Sequence, residues 1–506
     1  MSQTDAASTQ GPTPPAGDFL GHPKALWQLF NIEMWERFAF YGMRALLAVY
    51  VATRFYATLD QAAANSQASL IYGGYTALVY ATGIAGGYVA DRILGYQRSI
   101  LLGALIMAAG LFVLLIEDLH WFLVGLALVV AGNGLFKPNI SSMVGKLYTP
   151  GDVRRDSGFT IFYMGINLGA FVAPMITSAW IGATWGLKYG FAAAGVGMIL
   201  STLFLQIAKG SLGHVGRPEP GKEGWLRFFM VGLAAVAIAV AVYFLLTAST
   251  VLGYLLVAIM LGLAVYFIIS GVRKGTVQLQ RYIAMLLLFL ANACFWALFE
   301  QAGSSLNFFA REHTTPMYGS MENWLEGGFG IFQSLNPLYI LVFAPMFAAL
   351  WPKLEKVGLN PSIPRKFSLG LIQVSLGFLV LAFAVEHFQN AAGLVPWFFL
   401  ALCYLLHTTG ELCLSPIGLS MVTKLADEHE VGLAMGGWFL SIAMAQYVAG
   451  LIAAIASGGG GHGEEAFSGI AQYADVYMQL FKLGLGFGVV YLVAAPAINK
   501  LMHGVK

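Results

Sequence analysis

From residue 24 almost to the last residue, the chain offers one apolar stretch after another, each bounded by charge, Gly or Pro. About 20 apolar residues cross a bilayer core as a helix, so the only fold that buries this succession is an all-α polytopic membrane protein. Composition agrees: 58% of the residues are hydrophobic and only 10% are charged, far from the balance of a soluble enzyme. A net charge of +2 with dispersed basic residues gives no footprint for nucleic acid. The three cysteines, Cys294, Cys403 and Cys413, fall inside apolar stretches and form neither a disulfide framework nor a metal-ligand spacing, so they read as packing residues.

Apolar spans are expected at 24–54, 66–91, 97–116, 120–147, 157–183 and 187–208, then 226–247 and 250–272, then 279–310, 325–351, 367–386, 395–424, 431–456 and 472–502. That is fourteen helices in the order six, two, six. The polar, Pro-rich residues 1–23 carry no signal-peptide pattern and read as a disordered cytosolic tail. The expected units are a six-helix bundle at 24–208, a basic loop and two-helix insert at 209–278, and a second six-helix bundle at 279–506. With both termini cytoplasmic, most of the 27 Lys and Arg fall on the inner side, while Arg54, Lys188 and Arg311 fall outside. The run GGGGHGEE near residue 460 follows no strand and reads as a flexible outer loop.

Two similar bundles imply a duplicated transporter that rocks about a site near the midplane. One loop is echoed: Gly87, Asp91, Arg92, Gly95 and Arg98 follow a Gly-x3-Asp-Arg-x2-Gly-x2-Arg spacing, and PKLEKVGLNPSIPRK is a degraded relative in the second half. The first version resembles the signature loop of the major facilitator superfamily.

The charges inside the spans are more informative still. Each costs about 2.5–3.5 kcal/mol at a membrane helix centre, so such residues normally line water, substrate or a proton path. Setting the insert aside, Glu33, Glu36, Arg37 and Arg44 lie on the first helix, Lys137 on the fourth, Glu300 on the seventh and Glu411 on the tenth. Every third helix is marked, as expected if the first helix of each three-helix repeat lines one cavity. Glu33, Arg37, Tyr41 and Arg44 share a helical face, with Glu36 beside it. Four carboxylates face three cations, a balance that fits proton binding and release; the alternative is a static set of buried ion pairs. Lys137 and Glu411 lie close to Pro and Gly, and a cation and an anion in opposite halves suit a zwitterion. His407, four residues before Glu411, is either a packed histidine or a proton relay. Tyr41, Tyr80, Phe162, Tyr163 and Trp296 are aromatic neighbours, Asn167 and Asn336 are hydrogen-bonding ones, and Arg54 is expected to pair with Glu312 or Glu322 at an outer gate.

Glu33-x-x-Glu36-Arg37-Phe38-x-Phe40-Tyr41-Gly42 resembles the ExxERFxYYG signature of the proton-coupled oligopeptide transporters, a major facilitator branch. FYMGINLGAF, beginning at Phe162, and GELCLSPIGLS, around Glu411, are similar to two further elements of that family, and the insert matches its bacterial members. The resemblance implies symport of dipeptides and tripeptides with protons across a bacterial cytoplasmic membrane, with no cofactor and no metal. It implies that Arg37 and Lys137 favour the peptide carboxylate, that Glu411 meets the amine, and that Asn167 and Asn336 hydrogen-bond the peptide. Glu33 and Glu36 are then tied to proton coupling, Glu300 pairs across to Lys137, and Tyr41, Tyr80 and Trp296 are pocket aromatics. Phe40 stands where the family has Tyr and removes a hydroxyl. A nitrate or drug carrier of the same superfamily is the alternative.

Overall fold

The computed structural model describes residues 18–149, 151–218, 221, 224–457 and 469–505. The run near residue 460 lies outside them, as do residues 1–17. The described part is helical almost throughout, as backbone groups in hydrocarbon must find partners within their own segment. Fourteen long helical segments follow one another: α1 Lys24–Phe55, α2 Gln61–Val89, α3 Tyr96–Val113, α4 Leu119–Lys146, α5 Arg155–Trp185, α6 Leu187–Leu212, α7 Trp225–Thr247, α8 Ser249–Lys274, α9 Thr276–Glu312, α10 Gly328–Lys356, α11 Ile363–Phe388, α12 Trp397–Leu425, α13 Val431–Ala456 and α14 Ile470–Leu501. Among the described residues, α3 to α14 are long and apolar enough to cross a membrane. Helices α1 and α2, with 32 and 29 residues, have the length but carry more polar groups.

Local chemistry sets several boundaries. Asp60 and Asp118 cap α2 and α4, their carboxylates accepting from the free backbone N–H groups of Ala63 and of His120 and Trp121. Gly95 separates α2 and α3 with φ +73, and a Cβ there would meet the backbone of Pro218 at 2.5 Å. The expected tail is shorter than residue 23. Asp18–Phe19 and His22–Pro23 form a small hairpin, tied down because Arg154 donates to Asp18 at 3.0 Å and His22 meets the Tyr148 hydroxyl at 2.8 Å.

The first six helices and the last six touch chiefly at the end away from the termini. There α2 crosses α13 so closely that a Cβ on Gly73 would lie 2.6 Å from the Gly450 Cα. Hydrogen bonds between the two sets gather at mid-depth and toward this far end: Asn65 to Glu312, Asn307 to the Ala45 carbonyl, Ser178 to the Gly327 carbonyl and Ser334 to the Phe171 carbonyl. The insert is split between the sets. Helix α7 packs on α4 and α2, whereas α8 packs on α9 and α13. At the foot of α8, Glu430 accepts hydrogen bonds from Ser270 at 2.7 Å, Tyr266 at 2.9 Å and Tyr282, and pairs with Lys274 at 3.1 Å.

Candidate functional site

Residues one turn apart on a helix lie one above the other, so Arg37 meets Glu33 along α1 at 3.2 Å. Its guanidinium also grips the adjacent Glu36, with Nη2 donating to Oε1 at 2.6 Å and Nε donating to Oε2. Asn133, a turn before Lys137 on α4, donates to the same Glu36 at 3.3 Å. All three charged groups are buried. The remaining oxygen, Glu33 Oε2, is buried and has no hydrogen-bond partner among the described residues. Phe40 stacks its ring 5.1 Å from the Arg37 guanidinium, so the residue that lacks the usual hydroxyl contributes a cation–π contact.

Two turns further along α1, Arg44 pairs with Glu300 and donates to the Tyr72 hydroxyl at 2.6 Å. This is a correction: the expected partner of Glu300 was Lys137. The geometry of α9 explains the change. At Glu300 the helix tightens into one turn of 3-10 helix, Glu300–Gly303, which presents the carboxylate to α1, where Tyr72 from α2 holds the guanidinium in place.

Lys137 instead points its ammonium at the Tyr80 ring, 4.8 Å from the centroid. It is half-buried, and no carboxylate among the described residues lies within 4.0 Å. Glu411, on α12, is its counterpart. Asn336 donates to Glu411 Oε2 at 2.8 Å and to the Thr408 hydroxyl at 3.1 Å, and Glu411 likewise has no cation within 4.0 Å among the described residues. Asn336 follows a 3-10 stretch, Gly328–Ser334, and precedes Pro337; this irregular start of α10 lets the amide turn toward α12.

The other expected residues divide. Tyr41 lies beside Arg44, 5.8 Å from its guanidinium, and exposed Tyr163 on α5 is within electrostatic reach of both Tyr41 and Glu411. Asn167 is buried and donates to the Tyr163 carbonyl of its own helix at 3.0 Å, and Phe162 is core. Trp296 donates to Asn292 at 3.0 Å and packs edge-on against Phe295 and Phe299. His407 is a packed histidine: it turns away from Glu411 toward α11, against Phe378 at 5.0 Å and the Cys403 sulfur at 3.5 Å. The expected gate pair is also corrected. Arg54 and Lys188 both pair with Glu117 within the first set of helices, because that carboxylate is the nearer one, while Glu312 is reached across the interface by Asn65. In the signature loop, Asp91 accepts from Tyr96 and Arg98 stacks on Trp225 at 5.5 Å.

Tyr72, Asn133 and Thr408 escaped the sequence reading. Asn133 and Thr408 sit one helical turn from a charge already singled out, a spacing that could have found them; Tyr72 is brought in only by packing of α2.

No group of three or more His, Cys, Asp or Glu poised for a metal occurs among the described residues. The site has one wall in each set of helices, Lys137 with the Arg37 cluster in the first and Glu411 in the last. Among the described residues Lys137 and Glu411 have no opposite charge within 4.0 Å, and the Arg44–Glu300 pair crosses from α1 to α9.

The model of the POT family (PTR2) matches residues 97–464. An uncharacterized transporter, YclF of Bacillus subtilis, is 36% identical over the full length of both chains. The peptide transporter YePEPT of Yersinia enterocolitica is 35% identical, covering 87% of this chain and 89% of its own. A crystal structure of a mutant peptide transporter POT in complex with alafosfalin superposes with a TM-score of 0.81 at 37% identity, covering 97% of this chain and 98% of that one.

Proposed function

The chain belongs to the POT family, a membrane transporter of the major facilitator type and not an enzyme, and from that premise we propose that it imports dipeptides and tripeptides driven by a proton gradient. The single observation that carries the proposal is the pair of uncompensated charges: Lys137 in one wall and Glu411 in the other. A buried charge without a counter-charge is strongly unfavourable. A peptide with free ends supplies both counter-charges at once, its carboxylate toward Lys137 and Arg37 and its amine toward Glu411, while Asn336 and Asn167 are the amides that hold it. Side chains of the peptide meet Tyr41, Tyr80 and Trp296, which accept apolar shapes broadly.

Coupling follows from competition for Arg37. A substrate carboxylate that takes guanidinium donors displaces Glu33 or Glu36, and Glu33 already has an oxygen without a donor. A displaced carboxylate in this setting is stable only with a proton on it. Protonation of Glu300 would likewise dissolve its pair with Arg44, one of the bonds that ties the two sets of helices at mid-depth. The proton thus loosens the far end, and alternation of the two ends gives transport. The basic residues near the termini, among them Lys24, Arg154, Lys274 and Lys500, support a cytoplasmic-membrane location with both termini inside.

The test is uptake of labelled dialanine into proteoliposomes with and without an imposed pH gradient, acid outside. Accumulation above the external concentration is expected only with the gradient. Accumulation that ignores the gradient would remove the coupling, and counterflow of nitrate rather than dialanine would remove the peptide.

A further inference from the structure

The two-helix insert has no part in the mechanism above, yet it builds a cleft of its own. At the end bearing the termini, a space of about 320 Å³ opens between the start of α3, the end of α6 and the foot of α7. Arg98, Lys209 and Arg217 line it together with Leu101, Trp225 and Phe228. Among the described residues no carboxylate lines this cleft, and none lies within 4.0 Å of any of the three cations. Arg98 Nη1 is shielded from solvent without a hydrogen-bond partner, while its guanidinium stacks on Trp225. Lys209 and Arg217 are exposed.

We infer that this cleft binds the headgroup of an anionic phospholipid. Three convergent cations, with no carboxylate among the described residues of the lining, suit a phosphate-like anion. The apolar side of the cleft decides that the anion is a lipid. Leu101 continues one turn deeper to Leu105, which is 47% exposed, and Trp225 and Phe229 at the foot of α7 are 64% and 68% exposed. Trp at the boundary with the polar layer is the usual interfacial anchor. Gly232 on α7 has only Leu102 of α3 near its missing Cβ, at 3.8 Å, so the α3–α7 seam carries little side-chain bulk there. A soluble phosphate has no use for that seam. Arg98 also belongs to the signature loop between α2 and α3, so the lipid joins α7 to that loop.

Native mass spectrometry of the purified full-length protein, incubated with equimolar phosphatidylglycerol and phosphatidylcholine of identical chains, tests this. Phosphatidylglycerol should be retained preferentially. The double variant Lys209→Gln, Arg217→Gln should lower that preference on the order of 25-fold, about fivefold for each cation removed, with dialanine counterflow in phosphatidylcholine vesicles unchanged. The charge-preserving pair Lys209→Arg, Arg217→Lys should keep the preference. Equal retention of both lipids, unaltered preference in the double variant, or full displacement of the lipid by inorganic phosphate would each overturn the assignment. Should the double variant not fold, hydrogen exchange of the wild-type protein decides. Peptides covering Lys209 and Trp225 should exchange more slowly in phosphatidylglycerol nanodiscs than in phosphatidylcholine ones, and equal rates there refute the site.

Discussion

The two walls of the cavity solve the problem of buried charge differently. On α1, Arg37 is in direct contact with both Glu33 and Glu36, whereas on α12 the carboxylate of Glu411 is met only by the uncharged Asn336. A wall made of ion pairs can exchange partners when a new anion arrives, because each displaced group finds another charge or a proton. A carboxylate held by an amide stays in place, open to the cation that a substrate brings. The first wall is therefore suited to coupling and the second to recognition, with Lys137 as the link, since it is the cation of the first wall with no carboxylate in contact.

The comparison breaks most readily at Lys137. Lys137→Ala should reduce gradient-driven dialanine uptake by on the order of 100-fold, the loss of the cation offered to the peptide carboxylate; accumulation at the wild-type level would show that the first wall works without it. Next comes Glu411→Gln, expected to weaken competition by dialanine at least about tenfold while leaving N-acetyl-dialanine nearly unchanged. Equal losses for both would deprive the second wall of its amine role. Asn336→Leu removes a single neutral donor to Glu411, so a rise in KM of about fivefold is expected with little change in kcat, and an effect as large as that of Glu411→Gln would mean the amide does more than orient the carboxylate.

The smallest effect is expected outside the cavity, at Glu430. Burial pushes its carboxyl up, but donors from Tyr282, Ser270, Tyr266 and Lys274 more than reverse this and hold it at about 2. Being depressed below the ordinary carboxylate value, it stabilises the fold fully above about pH 5, and the contribution drains away as pH falls toward about 2. Tm should accordingly be flat from about pH 8 to about pH 5. Glu430→Gln should lower the neutral-pH Tm by about 1 °C for about 1 kcal/mol, and leave uptake intact. A loss of uptake would place the α8 anchor in the transport cycle.

Much of this architecture is written plainly in the chain. Most helix positions emerge from hydrophobic length, with α1 and α2 the more polar exceptions, and the charges on α1, α4, α9 and α12 are conspicuous because hydrocarbon tolerates so few. Pairing was harder to read. Which cation meets Glu300 depends on a single tightened turn in α9 and on Tyr72 from a neighbouring helix, and neither leaves a mark in local spacing. His407 and Glu411 share a helical register, yet bulky Phe378 and the space above Gly377 draw the ring toward α11. Arg54 likewise finds Glu117 because α1 and α4 end close together, a fact of packing and not of sequence distance.

The central claim is that the cavity selects the two charged ends of a peptide. Counterflow of labelled dialanine by the wild-type protein, competed by N-acetyl-dialanine and by dialanine amide, measures this directly. Each blocked peptide should compete at least about tenfold more weakly than dialanine, because each leaves Glu411 or Lys137 without its counter-charge. Competition by both blocked peptides as strong as that of dialanine itself would contradict it.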